Sequence, residues 1–174
     1  LGDVYKRQEL TLLEPIRHKA DILIETSELT PHDLKASIKK LFLNTGVNLL
    51  SISLKSFSYK RGLPRGTDMT LDCRFLKNPH WQDELREKTG LDSSVSEFVA
   101  SDPKFSEFIE RVTKLLLFLL PSFKEEGKSS VEIGFGCTGG IHRSVAVTET
   151  VAKELADSGW NVSIKHREIE RLDL

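Results

Sequence analysis

Cys137, Thr138, His142, Arg143 and Ser144 fall within eight consecutive residues, interleaved with Gly139 and Gly140. The stretch Ser129–Val145, SSVEIGFGCTGGIHRSV, reads as a buried strand, a glycine-rich loop and the first turn of a helix. Glycines at 134, 136, 139 and 140 let the backbone turn sharply and approach a ligand. A loop of this kind aims backbone N–H groups and the positive end of a helix dipole at one point. The arginine fork, the histidine and two hydroxyls stand beside that point. The chemistry calls for an anion, above all a phosphate.

A second chemistry uses the same residues. Cys137, five residues, Arg143 and then Ser144 match the phosphate loop of cysteine-dependent phosphatases. There the loop amides and the arginine hold the phosphoryl oxygens. The dipole and the cation lower the thiol pKa, and the serine hydroxyl assists the departing thiolate. Such an enzyme also needs an acid, for which Asp68 and Asp72 are the candidates. In the plainer alternative Cys137 is a small buried hydrophobe inside an anion-binding loop.

The elements that position this loop follow from local pattern. Val131, Ile133 and Phe135 form the strand before it, and Val147, Val151, Ala152 and Leu155 mark one face of the helix after it. Trp160–Lys165 reads as the last strand, followed by His166 and Arg167. Upstream, Val47–Tyr59 alternates as a half-buried strand, and a basic turn holds Lys60, Arg61 and Arg65. Met69–Phe75 reads as extended and carries Arg74, while Pro79 keeps Asn78 out of helix in the loop that bears His80 and Trp81. Ser93–Ala100 reads as a short helix. A stronger one has an apolar stripe at Phe105, Phe108, Ile109, Val112, Leu115, Leu116 and Leu119, with Pro121 as its end. Near the start, Ala20–Thr26 reads as a strand. Thr30-Pro31-His32-Asp33 opens a helix through Leu34, Ile38, Leu41 and Phe42, stopped by Asn44-Thr45-Gly46.

This order predicts an α/β sandwich with a mostly parallel sheet. Ligands of such sheets sit at the carboxyl ends of the strands. The 137–144 loop, His166-Arg167 and Tyr59-Lys60-Arg61 are expected on that rim.

Composition narrows the class. The 174 residues suffice for a sizeable core, and a net charge of −1 gives no global attraction to nucleic acid or membrane. Two cysteines exclude a disulfide scaffold and favour a reduced, cytoplasmic setting. The longest apolar run, Leu115 to Leu120, is far too short to span a bilayer. Five histidines and two cysteines show no metal-ligand spacing, so no metal is expected, and no Walker-type phosphate loop is present.

Several motifs together resemble one family. GCTGGIHRS, FLKNPHW followed by TGLD, FSYKRGLP and SIKHRE are distinctive, and the likeness runs from about Leu12 to Arg171, nearly the whole chain. They are similar to the bacterial RapZ/YvcJ-like proteins, RNase adapters or P-loop nucleotide-binding proteins. Residues 1–8 show no periodicity and no cap and read as an assembly scar; on the resemblance, 9–46 are the remnant of an N-terminal P-loop kinase-like domain with its linker, and 47–174 a C-terminal ligand/RNA-adapter domain. It implies a sugar-phosphate-binding-like fold and glucosamine-6-phosphate as ligand. It also implies small regulatory RNA and an endoribonuclease as partners, and a homo-oligomer. ATP or GTP is implied for the full-length protein, with no cofactor in this part. Matching anion-site positions are Thr138, Gly139, Gly140, His142, Arg143, Ser144 and His80. Lys60, Arg61, Arg74, His166 and Arg167 are second contributors. One departure concerns RNA. Residues 160–174 balance Lys165, Arg167 and Arg171 against Glu168, Glu170 and Asp173, so the C-terminus lacks the basic charge that phosphate contacts require. The resulting expectation is a regulatory binding module, with the cysteine phosphatase as the enzymatic alternative.

Overall fold

The computed structural model describes Leu13 and residues 24–42 and 50–171. The chain divides into two compact units, Leu1–Val47 and Asn48–Leu174.

In the first unit, α1 spans Pro31–Phe42. Its start is a reciprocal cap. The Asp33 N–H donates to Thr30 Oγ1 at 3.2 Å, and the Thr30 N–H donates back to Asp33 Oδ2 at 3.1 Å. Two orphan donors of the first turn are thereby satisfied. The expected strand over 20–26 is not found in its described part, since residues 24–26 are irregular; its other residues, and the stop at Asn44–Gly46, lie outside the described residues.

The second unit is α/β. It runs β1 (Ser51–Ser58), β2 (Met69–Asp72), α2 (Asp83–Arg86), α3 (Ser93–Ala100), α4 (Phe105–Glu125), β3 (Ser130–Cys137), α5 (Arg143–Asp157) and β4 (Val162–His166). The four strands stand in the order β2-β3-β1-β4, and every pair is parallel. Residues 52, 54 and 56 of β1 share a face with 131, 133 and 135 of β3. On that face Ile52, Leu54, Val131, Ile133 and Phe135 are fully buried. Helix α5 packs on β3, β1 and β4, and α3 and α4 pack against α5.

Helix α4 departs from expectation twice. It continues through Pro121 to Glu125 rather than ending there. Proline removes one backbone hydrogen bond, but Leu120 is buried and Phe123 packs on the core, so the last turn is held by its contacts. The buried stripe is Phe105, Ile109, Val112, Leu116 and Leu120. Leu115 lies off it and is 43% exposed, because at 100° per residue it falls beside the buried line rather than on it.

Parallel register gathers the strand ends on one rim. Ser58 pairs with Cys137, Asp72 with Gly136, and Ser56 with His166. The loops that follow β1, β2 and β3 therefore emerge side by side. The loop at Thr89–Asp92 docks beneath them. The Gly90 N–H donates to the Ile141 carbonyl at 2.7 Å, and a Cβ on Gly90 would lie 2.4 Å from the His142 carbonyl oxygen and 2.7 Å from the Ala146 nitrogen. Only glycine permits that approach. Gly90→Ala is expected to lower stability by about 1–3 kcal/mol, the usual range for overpacking. The midpoint of a urea melt measures it, and an unchanged midpoint shows that the contact does not constrain the fold.

Candidate ligand-binding site

Five residues connect the end of β3 at Cys137 to the start of α5 at Arg143. Their path is fixed from below. The Gly140 N–H donates to Cys137 Sγ at 3.2 Å, and Ser144 Oγ lies 3.1 Å from the same sulfur. Gly140 has φ +78°, and a Cβ there would sit 2.5 Å from Glu168 Cγ and 2.7 Å from the Ser58 nitrogen. Gly140 and Ser144 thus form the underside of the loop. Gly139 is its open side, where an added Cβ meets nothing within 4 Å.

Arg143 closes the site from within. It is only 5% exposed. Its Nη1 donates to the carbonyls of Arg74 at 2.7 Å and Leu76 at 3.2 Å, and its Nη2 donates to Thr138 Oγ1 at 3.2 Å. Its Nε is buried with no partner. Among the described residues no carboxylate forms an ion pair with it. The cation also stands at the positive end of α5, where the dipole disfavours it. An anion would relieve both strains.

Above the loop lies a cavity of about 460 Å³, within the range of small-molecule sites. It brings together six of the expected residues, Lys60, His80, Thr138, Gly139, His142 and Arg143, and one edge of Cys137. Asn78, Trp81 and Ile141 complete the wall, and none of the three was singled out as a ligand contact from sequence. The available signal was Trp81, an aromatic set among His80, Gln82, Asp83 and Glu84 with no apolar period to bury it.

The other basic candidates turn elsewhere. Arg61 and Arg167 both reach the buried Glu168, at 3.2 and 2.7 Å. Arg74 grips Asp72 and lies over the Tyr59 ring, contributing its carbonyl rather than its charge. His166 is held between Ser56 Oγ at 2.9 Å and Glu149 Oε1 at 2.8 Å. None of these four side chains lines the cavity.

Electrostatics bears on the two aspartates weighed as general acids. Hydrogen bonding to Arg74 holds the Asp72 carboxyl below its usual range, and Lys128 does the same for Asp68. A general acid needs the opposite shift. Burial pushes the Cys73 thiol up, so beneath the site it is a protonated, small apolar group. Among the described residues no cluster of three or more His, Cys, Asp or Glu is placed to hold a metal ion. No described helix is long and apolar enough to cross a membrane.

A family model described as the RapZ C-terminal domain matches residues 50–170. The chain belongs to the RapZ family. Similar relatives are nucleotide-binding proteins of Ruegeria pomeroyi, 56% identical over 94% of this chain and 57% of the relative, and of Cereibacter sphaeroides, 54% identical over 94% and 54%. A nucleotide-binding protein of Dinoroseobacter shibae is 50% identical over 94% of the chain and 55% of its own length. This RapZ-family chain therefore spans about half the length of the curated relatives it matches. The match covers the α/β unit and every residue that lines the cavity.

Two glycines of the RapZ-family loop should respond oppositely to substitution. Gly140→Ala places a side chain on Glu168 at a positive φ and should cost more than about 1 kcal/mol. Gly139→Leu points into open space, so it should leave the melting temperature unchanged while blocking the cavity to phosphate. Thermal melts with and without phosphate separate the two.

His142 is 6% exposed, and its Nε2 donates to the Arg86 carbonyl at 3.1 Å. Burial lowers its pKa below the ordinary 6.5. The unfolded chain then binds more protons below pH 6.5, so stability falls as pH drops from 6.5 toward the folded pKa and is insensitive to this group above it. His142→Gln should flatten that part of the stability–pH curve, measured by urea melts between pH 5 and 8. An unchanged slope shows that His142 does not set it.

Proposed function

We propose that this chain is a regulatory ligand-binding module that senses a phosphorylated small molecule, an amino-sugar phosphate of the glucosamine-6-phosphate kind, in the cavity over the 138–143 loop. The observation that carries this reading is Arg143: a buried guanidinium with an unpartnered Nε and, among the described residues, no ion-paired carboxylate, facing a cavity that Lys60 and His142 also line. A phosphate supplies the missing charge and accepts from N–H donors at the start of α5, which lack preceding-turn carbonyls.

The same geometry weighs against thiolate hydrolysis. The Gly140 N–H and the Ser144 hydroxyl stand at the Cys137 sulfur as a thiolate would require, but both Nη atoms of Arg143 donate to protein oxygens rather than fanning over the sulfur. Both candidate acids are held ionised. Binding is the reading with fewer obstacles.

On this proposal the module reports ligand occupancy to the rest of a longer protein. ATP or GTP would be bound by the part of the relatives' length that this chain does not span, in keeping with their nucleotide-binding names. Small RNA and an endoribonuclease are the partners whose encounter the signal would regulate. The tail is a poor RNA contact by itself, since Arg167 and Arg171 are drawn to Glu168 and Lys165 to Glu170.

Thermal shift tests the proposal. At ~100 times its dissociation constant, glucosamine-6-phosphate should stabilise the chain by about 2.7 kcal/mol. Lys60→Ala, an exposed change, should leave the ligand-free melt intact and raise the ligand concentration needed for the same shift. No shift with either inorganic phosphate or the sugar phosphate sinks the reading.

A further inference from the structure

The Cys137 sulfur is set up to react with a small oxidant. The Gly140 N–H and the Ser144 hydroxyl meet it at 3.2 and 3.1 Å, beside the N-terminal end of α5, and one edge of the residue borders the cavity. Such donors and a helix N-terminus favour the thiolate, which is the reactive form. The cavity gives a molecule as small as hydrogen peroxide a path to it.

A second sulfur belongs to the neighbouring strand. Leu71 pairs with Phe135 and Asp72 with Gly136, and the Cys73 N–H donates to the Gly136 carbonyl at 2.8 Å. The next pair in this register is Cys73 and Cys137. Each lies two residues beyond a member of the Leu71–Phe135 pair, so both side chains are on one face of the sheet. Neighbouring strands run about 4.8 Å apart, inside the Cα separation of about 4.4–6.8 Å that a disulfide spans. Cys73 is fully buried, and among the described residues its sulfur makes no hydrogen bond closer than the 4.0 Å contact to the Leu71 carbonyl. It is therefore free to turn.

We infer that Cys137 and Cys73 are the two halves of a peroxide-responsive disulfide, whose formation takes the Cys137 sulfur away from the loop and closes the anion site. The bridge itself is independent of the phosphate reading; its effect on the site rests on that reading.

The chemistry balances. The Cys137 thiolate attacks one peroxide oxygen, the O–O bond breaks, and the departing hydroxide takes up the proton that Cys137 released. Cys73 then attacks the sulfur of the sulfenic acid, the S–O bond breaks, and hydroxide leaves as water with the Cys73 proton. Two thiols and one hydrogen peroxide give one disulfide and two waters; the sulfurs are oxidised and the peroxide is reduced. Burial holds the proton on Cys73, so the second step is the slower. The bridge also moves the loop. The two Cβ carbons must close to about 3.8 Å, and Thr138 follows Cys137 directly. The bridged sulfur no longer accepts from the buried Gly140 N–H, which must find another partner. A disulfide under such strain is readily reduced, as a switch requires.

The full chain, treated with hydrogen peroxide, then unfolded, alkylated and mapped by peptide mass spectrometry, should yield a linked Cys73–Cys137 peptide that dithiothreitol reverses. In Cys73→Ala, Cys137 should instead advance to a sulfinic acid that dithiothreitol does not reverse. The linked peptide in the unaltered chain decides the bridge even if that variant fails to fold. Calorimetry should show inorganic phosphate bound about tenfold or more weaker by the bridged chain, with dithiothreitol restoring the affinity. Both cysteines alkylated after peroxide, or Cys137 oxidised further with Cys73 still free in the unaltered chain, overturn the inference whatever the chain does with phosphate. A bridged chain that binds phosphate as tightly as the reduced one overturns the closure of the site. A reduced chain that binds no phosphate overturns the phosphate reading and the closure together, while the linked peptide still decides the bridge.

Discussion

A buried guanidinium that no carboxylate pairs among the described residues is the constraint on which this site depends. Arg143 ties the loops after β2 and β3 to one point through the carbonyls of Arg74 and Leu76 and the hydroxyl of Thr138. Carbonyl dipoles solvate the charge but do not neutralise it, and an uncompensated buried charge is costly. The cost is borne because the parallel core beneath is large and continuous, from Ile52 and Leu54 to Phe135 and Leu155. The result is a buried cation held in place by carbonyls and a hydroxyl alone among the described residues. Had a carboxylate replaced one of those carbonyls, the loops would be pinned equally well and the attraction for phosphate lost.

The underside of the loop obeys a complementary rule. Glu168, 5% exposed, meets Arg61, Arg167 and Arg171 and accepts the Ser58 N–H at 3.3 Å. Its Cγ stands where a Cβ on residue 140 would be. The acid is therefore satisfied away from the cavity, and its arginines are turned away with it. One carboxylate placed behind the loop keeps negative charge out of the site and keeps three competing cations from crowding it. Removing it would free both.

This arrangement explains what sequence could and could not convey. The strand–loop–helix at 130–157 was legible because its signals are local: alternating apolar residues, dense glycine, then a 3.6-residue stripe. The cap at Thr30 and the turn at Pro79 were legible for the same reason. The directions of Arg61, His166 and Arg167 were not. Each is decided by a partner remote in the chain or fixed by the fold, Glu168 or the pair Ser56 and Glu149. A basic residue next to a strand end looks the same in sequence whether it faces a ligand or a buried acid. Pro121 misled for a related reason, since its local penalty was outweighed by the packing of Leu120 and Phe123. Trp81 was visible but unexplained, because exposure of a tryptophan is a property of the surface and not of the pattern.

The charge and the apolar surface of the cavity come from different parts of the chain. Coulomb attraction is long in range and indifferent to what is attached to a phosphate. The charge in the lining is that of Lys60 and Arg143, because burial favours the neutral form of His142. Among the lining residues the wide, uncharged surface belongs to Trp81, with Ile141 as the smaller apolar neighbour. The fold sets that indole on the loop after β2, while the cations come from the loops after β1 and β3. The lining thus draws its charge and its apolar surface from separate segments, joined through the grip of Arg143 on the carbonyls of Arg74 and Leu76.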